Sequence, residues 1–398
     1  MKDAKIEQLL NKYATPLYVF DTRVLKKRAS LLRSMLPAGI SLCYAIKANT
    51  FILNDICDVV ERLEVCSPGE LSICRQLSIP PEKLVISGVY KTPDITAEHI
   101  ASPSSEACIY TVESMSQFEL LKCGAHLCKK RLRLLLRLTS GNQFGLDERD
   151  IRYIVENFAA DPFLDLCGIQ YFSGTQKNSL KKLKREIDYV DAFLQSLYDE
   201  FGHRMREFEF GPGLPVSYFQ VENFDERAFF AEFSSMLEGM KFKAGITLEI
   251  GRSLAAECGS YITRVVDTKE NRGQLYAIVD GGINHIVYYG QSMAMRHPPH
   301  RIYPERKSDR TQNWNIFGSL CTVNDVLAKQ LPAADLHAGD CIVFQLAGAY
   351  CMTEGISLFL SRELPAIVLI DENGRTKLAR PSLTTYEFNT PYYRQEDK

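Results

Sequence analysis

Eight short apolar runs, each followed by a stretch of helical periodicity, limit this chain more than any other feature. They are SLCYAIKA (41–48), LEVCS (63–67), LVISG (84–88), CIYTV (108–112), RLLLRL (133–138), LCGIQYF (166–172), FEFGPG (208–213) and ITLEIG (246–251). Amphipathic stretches such as SMSQFELLKCGAHL and SLKKLKREIDYVDAFLQSLYDEF lie between them. Strands buried on both faces read as apolar runs, and eightfold strand–helix alternation predicts an α/β fold, a (β/α)8 barrel. A doubly wound sheet also alternates, but it seldom needs eight strands and wants a glycine-rich first turn, which CYAIKANT (43–50) is not. At 398 residues the chain exceeds one ordinary core. After about residue 265 the texture changes: YITRVVDTK, LYAIVDGG, DCIVFQLAG and AIVLIDENG run apolar or alternate, with turns between them and few helical patterns. We therefore expect a strand within 1–24 (TPLYVF) that joins a mostly β domain over 265–398, with the barrel over 25–264. Gln291 to Asn315, rich in Pro, His and Arg, is expected to be a long loop whose Arg296, Arg301, Arg306 and Arg310 meet solvent or anionic groups.

Composition narrows function by exclusion. A chain 45% hydrophobic and 24% charged, with net charge −2, gives no electrostatic reason to expect nucleic acid or an anionic membrane as partner. The start, MKDAKIEQLLNKYATPLY, is too polar for a signal peptide, and no apolar run is long enough to span a bilayer. Twelve cysteines without CxxC pairs read as reduced thiols in a cytoplasmic protein. Cys123, His126 and Cys128 have metal-ligating chemistry but no second ligand pair, so no metal is expected.

The unusual residues fall where a barrel builds chemistry. Lys47, Ser67, Gly88, Arg137, Phe172, Gly211, Gly213, Glu249 and Gly251 all sit at the C-terminal ends of their runs. An ammonium at the end of a buried segment is costly unless paired, neutral or covalently bound, and Lys47 poses that question. GPG (Gly211–Gly213) and GR (Gly251-Arg252) follow the seventh and eighth strands, where bare amides and a guanidinium can cradle a phosphate; glycine as a merely permissive turn residue is the plainer reading. Pro212 removes one amide donor from that cradle. Glu249, in LEIGR, needs a cation or a proton donor, either Arg252 or a protonated ring nitrogen. A lysine, a phosphate cradle and an acid facing a heterocycle together describe pyridoxal phosphate.

The motifs YAIKAN, EVCSPGEL, QFGLDE, FEFGPGL, LEIGRSL, VDGG, GSLCTVND and AGAY occur in that order, from about residue 15 to the last strands. In this they resemble the diaminopimelate/ornithine decarboxylase family of pyridoxal phosphate enzymes. The resemblance implies an alanine-racemase-type barrel plus a β domain, and homodimers that share active sites. It makes Lys47 the Schiff-base lysine and Glu249 the acid facing the pyridine nitrogen. Gly211, Gly213, Gly251, Arg252 and Tyr350 match phosphate-holding positions, and Glu64 and Arg137 match polar rim positions near the cofactor. Cys321 matches the cysteine that a neighbouring subunit supplies as proton donor. An arginine at the Glu249 position would suit racemisation; the acid favours decarboxylation.

Three departures from the family bear on substrate. Where relatives read HxGS, this chain reads YFSGTQ, so Phe172 takes the place of a stacking histidine and Thr175 that of the serine. Relatives that hold a distal ammonium carry an acid after the cysteine; here it is Thr322, with Asp325 and Asp280 as nearby acids. The segment ISLFLSRELPA keeps only Arg362 as an anion binder. SGTQ and CTxxD look more like the branch acting on conjugated amino acids, carrier-bound aminoacyl groups or siderophore intermediates. Diaminopimelate decarboxylation, a non-catalytic regulator on the same scaffold and racemisation remain the alternatives.

Overall fold

The computed structural model describes residues 1–219, 224–291, 294–306 and 311–392. It divides into two compact units, one of Lys26–Val216 with Phe224–Leu254, the other of Met1–Leu25, Ser217–Asn223 and Ala255–Lys398. Strand β1 (Leu17–Asp21) belongs to the second. The next eight, β2 (Ser41–Ala45), β3 (Arg62–Val65), β4 (Leu84–Ile86), β5 (Ile109–Val112), β6 (Leu132–Leu138), β7 (Leu164–Phe172), β8 (Glu207–Gly211) and β9 (Gly245–Ile250), close a parallel barrel. Each of the eight apolar runs is one of these strands.

The barrel's helices follow from local chemistry. In the helix Pro68–Gln76, Ser67 Oγ accepts from the Glu70 amide, proline opens the first turn, and Glu70 reaches back to the Cys66 amide at 2.6 Å. Leu180–Phe201 is capped by Ser179 and stopped by Gly202 at φ +67. Between those ends Leu183, Ile187, Val190, Leu194 and Leu197 are buried at three- and four-residue spacing, one apolar stripe. Each contributes about 1.5–3 kcal/mol of burial, and Val190→Asp would break the stripe at its middle. Inside the barrel Cys43, Val85, Ile109, Leu135 and Cys167, from five strands, pack as one cluster.

The second unit is a nine-stranded mixed sheet. Strand β1 pairs antiparallel with β10 (Gly259–Asn271) and parallel with β16 (Ala366–Ile370), in registers Leu17–Ile262 and Leu17–Ala366. Through β10 the sheet runs on to β11 (Gln274–Val279), β13 (Gln312–Phe317) and β14 (Val326–Ala333); beyond β16 lies β17 (Thr376–Arg380). Strand β15 (Cys341–Gln345) pairs with β10 and with β12 (His300–Tyr303). Alternate residues Leu17, Val19, Ile262, Val343, Val368 and Ile370 share one face, which Ile6 and Leu9 of the helix Asp3–Leu10 cover.

Two expectations need correction. The sheet begins before residue 265, because β10 pairs with β1 and β15 from Gly259 and Ser260 onward. The segment 291–315 is not one long loop. It contains β12 and the start of β13, and β12 escapes a sequence reading because all four of its residues are half-buried and show no alternation. Its arginines face the chain's own groups: Arg301 reaches Asp3 at 2.6 Å, Arg306 grips Asp340, and Arg296 lies over the Phe219 ring. Arg310 lies outside the described residues. Among the described residues no helix is long and apolar enough to cross a membrane.

Candidate active site

The barrel strands end in a mouth lined with charge. Lys47 stands in the short 3-10 turn Ile46–Ala48 that leaves β2, and its side chain is 39% exposed rather than desolvated. Its ammonium meets Glu64 Oε2 at 2.5 Å, Glu249 Oε1 at 3.5 Å and Cys66 Sγ at 3.6 Å. Strand register makes this meeting unavoidable: β2 lies between β3 and β9, with Ala45 opposite Glu64 and Cys43 opposite Glu249. The question posed by Lys47 has its answer here in pairing.

The two carboxyls are electrostatically unlike. Burial pushes Glu249 up, and the charge of Glu64 pushes it further, against partial relief from Lys47. Glu64 is buried as well, but Lys47, a hydrogen bond with Glu249 and the Arg137 charge outweigh that burial and hold it below the ordinary carboxylate range. The pair therefore holds one proton, on Glu249. A third buried acid, Glu209 on β8, is pushed up to about 7 by burial; Gln170 donates to its Oε1 at 2.7 Å from the neighbouring register position.

Around this centre the rim is tied together. Arg137 donates to Glu113 Oε2 at 2.8 Å and lies 4.6 Å from the centre of the Phe144 ring. Lys91, lowered to about 8 by burial, donates to Gln117 Oε1 and the Gly88 carbonyl. Gly88 has φ +104, and a Cβ there would stand 2.5 Å from the Cys66 carbonyl, so only glycine fits. Gly211 packs on Phe172, with a Cβ position 2.4 Å from the ring. Gly213, at φ +59, approaches the Gly174 carbonyl so closely that a Cβ would lie 2.1 Å from it. Thr175, half-buried, follows Gly174 on the same loop. Gly251 leads into the helix Arg252–Ala255, whose Arg252 is buried.

The remaining anticipated residues belong to the sheet unit. Cys321 is exposed on the loop between β13 and β14, and the Thr322 hydroxyl oxygen accepts from the Asn324 amide. Asp325, expected near substrate, is 1% exposed and both its oxygens are occupied, by the Ile283 amide at 2.8 Å and the Leu320 amide at 2.7 Å. It pins the cysteine loop instead of facing a ligand. Asp280 likewise accepts from Thr15, Thr263 and the Arg264 amide. Arg362 is exposed and donates to the Ser319 carbonyl, two residues before Cys321. Tyr350 is half-buried at φ +64. Away from these, His126 bonds to Asp161 at 2.8 Å.

A family profile described as "Pyridoxal-dependent decarboxylase, C-terminal sheet domain" matches residues 17–348. The chain belongs to this family. It is a pyridoxal phosphate-dependent carboxy-lyase that acts on an amino acid. This decarboxylase is 27% identical to diaminopimelate decarboxylase of Aquifex aeolicus over 96% of its own length and 92% of that protein's. It is 25% identical to the L-glutamyl-[BtrI acyl-carrier protein] decarboxylase of Niallia circulans (96% and 94%). It is also 27% identical to the 2-[(L-alanin-3-ylcarbamoyl)methyl]-2-hydroxybutanedioate decarboxylase of Staphylococcus aureus (89% and 94%). Diaminopimelate decarboxylase of Helicobacter pylori, solved with L-lysine, shares the fold with a TM-score of 0.81 at 22% identity, covering 96% of this chain and 98% of that one.

The donor set of the decarboxylase suits that cofactor: a solvent-reachable primary amine for an aldehyde, a buried acid poised to share a proton with a ring nitrogen, and turns stripped to glycine. Sequence reasoning missed Cys66, Glu113, Glu209 and the buried pair Lys177–Glu186. Glu209 carries the same signal that singled out Glu249, an acid inside an apolar strand. Glu113 carries none, because its cation lies 24 residues away, and Glu186 reads as one more charge of an amphipathic helix.

Proposed function

We propose that this decarboxylase removes the α-carboxyl group of a conjugated amino acid, a carrier-bound aminoacyl group or a siderophore intermediate, whose distal end is not a free ammonium. One observation carries this reading: Asp280 and Asp325, the two acids expected near the substrate, are engaged by hydroxyls and backbone amides. The residue after Cys321 is Thr322, and the cation Arg362 is anchored to the same loop through Ser319. A substrate ammonium would find no charge-assisted acceptor in these groups, whereas an acidic or amide-bearing tail would find a guanidinium. The likeness to two decarboxylases named for conjugated substrates supports the same choice. The likeness to a diaminopimelate decarboxylase favours the second reading, free diaminopimelate with altered contacts. Purified enzyme offered free meso-diaminopimelate and a panel of acylated and carrier-linked amino acids, with CO2 and amine products followed by mass spectrometry, separates them. Brisk lysine formation from the free substrate would overturn the conjugate reading.

The residues take the roles that the family resemblance implies and their chemistry supports. Lys47 would hold the cofactor at its aldehyde, Gly211, Gly213, Gly251, Arg252, Thr175 and Tyr350 would hold its phosphate, and Phe172 would cover its ring. Pyridoxal phosphate, when bound, supplies the heterocycle that accepts the electrons left by departing CO2. Glu249, on giving its proton to the ring nitrogen, would stand beside it as a carboxylate and keep that acceptor cationic. Glu64, joined to both Lys47 and Glu249, fixes their spacing, with Arg137 lending charge. Cys321 donates the proton that the α-carbon takes after CO2 leaves. Its side chain is exposed, and Val323 beside it is 88% exposed. Exposed Leu358, Phe359, Leu360, Tyr386 and Phe388 border the Arg362 anchor; Asn389 bonds to the Leu358 carbonyl and the Ser361 hydroxyl. Such an apolar surface around a projecting acid suits a homodimer in which each chain lends Cys321 to its neighbour's barrel.

A further inference from the structure

Among the described residues, a buried ion pair that no step above uses lies beside the glycine turns. The Lys177 ammonium, with 4% of its side chain exposed, brings three protons to three acceptors: Glu186 Oε2 at 2.7 Å, Ser173 Oγ at 3.0 Å and the Gly211 carbonyl at 3.4 Å. Ser173 in turn donates to Glu186 Oε1 at 2.5 Å. The backbone is joined in the same place. The Lys177 amide donates to the Gly213 carbonyl at 2.8 Å, and the Gln176 side chain both donates to the Val216 carbonyl and accepts from its amide, at 2.9 and 2.7 Å. Gly213 closes the clasp, because a Cβ there would stand 3.0 Å from Lys177 Cε as well as 2.1 Å from the Gly174 carbonyl. Loop 173–179, which carries Thr175 and follows Phe172, is thus locked to the turn 211–216.

A buried ion pair is weak support for stability, since well-packed apolar residues of similar volume often serve as well or better. Its place between two turns therefore points to geometry. With its donors engaged by protein groups, Lys177 acts on a ligand only through the loops it joins. We propose that Lys177 is a positioning residue: it sets the spacing between the Phe172–Thr175 loop and the Gly211–Gly213 turn, and thereby the affinity of the barrel for the phosphate group of its cofactor. This rests on the phosphate placement given under the proposed function.

The test titrates the cofactor-free protein with pyridoxal phosphate and, separately, with pyridoxal, which lacks the phosphate, following absorbance. Lys177→Met strands the Glu186 charge, so the double variant K177M/E186M is measured beside it and folding is checked by circular dichroism. Loss of a charge-assisted hydrogen bond corresponds to roughly tenfold or more in affinity. That loss is expected for pyridoxal phosphate in the double variant, together with a shifted phosphorus resonance and little change for pyridoxal; Lys177→Arg should recover part of it. A folded double variant that binds both aldehydes as the parent does, or loses both equally, overturns the proposal. A parent that binds pyridoxal as tightly as pyridoxal phosphate removes the phosphate placement itself, a separate failure.

Discussion

At the scale of single residues, Glu249 and Glu64 govern behaviour before any cofactor arrives. Glu249 has a raised folded-state pKa, so its contribution favours the fold in acid and is lost as pH rises from the ordinary carboxylate range through the neutral and mildly alkaline range. Glu209, raised to about 7, has the same sign. Glu64 is depressed and works oppositely: its contribution is present above the ordinary carboxylate range and fades only in strong acid. The melting temperature of the cofactor-free protein should therefore fall between about pH 6 and pH 9, and Glu249→Gln should flatten most of that slope while leaving the part due to Glu209. Equal slopes in parent and variant would count against the shared proton. In the loaded enzyme the same variant should lower turnover by roughly a hundredfold, since a neutral amide holds the ring proton poorly. Lys47 and Glu249 were legible in the sequence because each is a charge at the end of an apolar run. Their direct meeting with Glu64 was not, because it depends on which strands are neighbours.

At the scale of elements, the eight barrel strands were readable because most of their positions are buried and each is a mainly apolar run. Short β12, half-buried at each position, offered no such pattern. Asp325 teaches the same lesson at the site. An acid four residues after Cys321 looks like a substrate ligand, yet its oxygens are capped by the Leu320 amide and by the Ile283 amide, 42 residues away in sequence. Asp325→Ala should cost about 1–3 kcal/mol for each amide left buried and unpaired, read as a lower melting temperature, and should slacken the loop that carries Cys321. Asp325→Asn keeps one acceptor oxygen and should lose less. Equal melting temperatures for parent and Asp325→Ala would return this acid to the list of substrate contacts.

At the scale of the whole molecule, the proposed roles require two chains for one reaction: Lys47 from one and Cys321 from the other. Lys47→Ala and Cys321→Ala should each abolish or strongly depress decarboxylation alone. Mixed after dissociation, they should regain about a quarter of the parent's sites, because random pairing makes half the dimers mixed and each mixed dimer carries one intact site. Mixtures no more active than their parts would place Cys321 outside the reaction or within its own chain's barrel. The most direct measurement of all is covalent. The protein saturated with pyridoxal phosphate is reduced with borohydride and digested, and the modified peptide is identified by mass spectrometry. A pyridoxyl group on Lys47, lost together with visible-range absorption in Lys47→Ala, is the expected result; the group on another lysine, such as the buried Lys91 or Lys177, would contradict it.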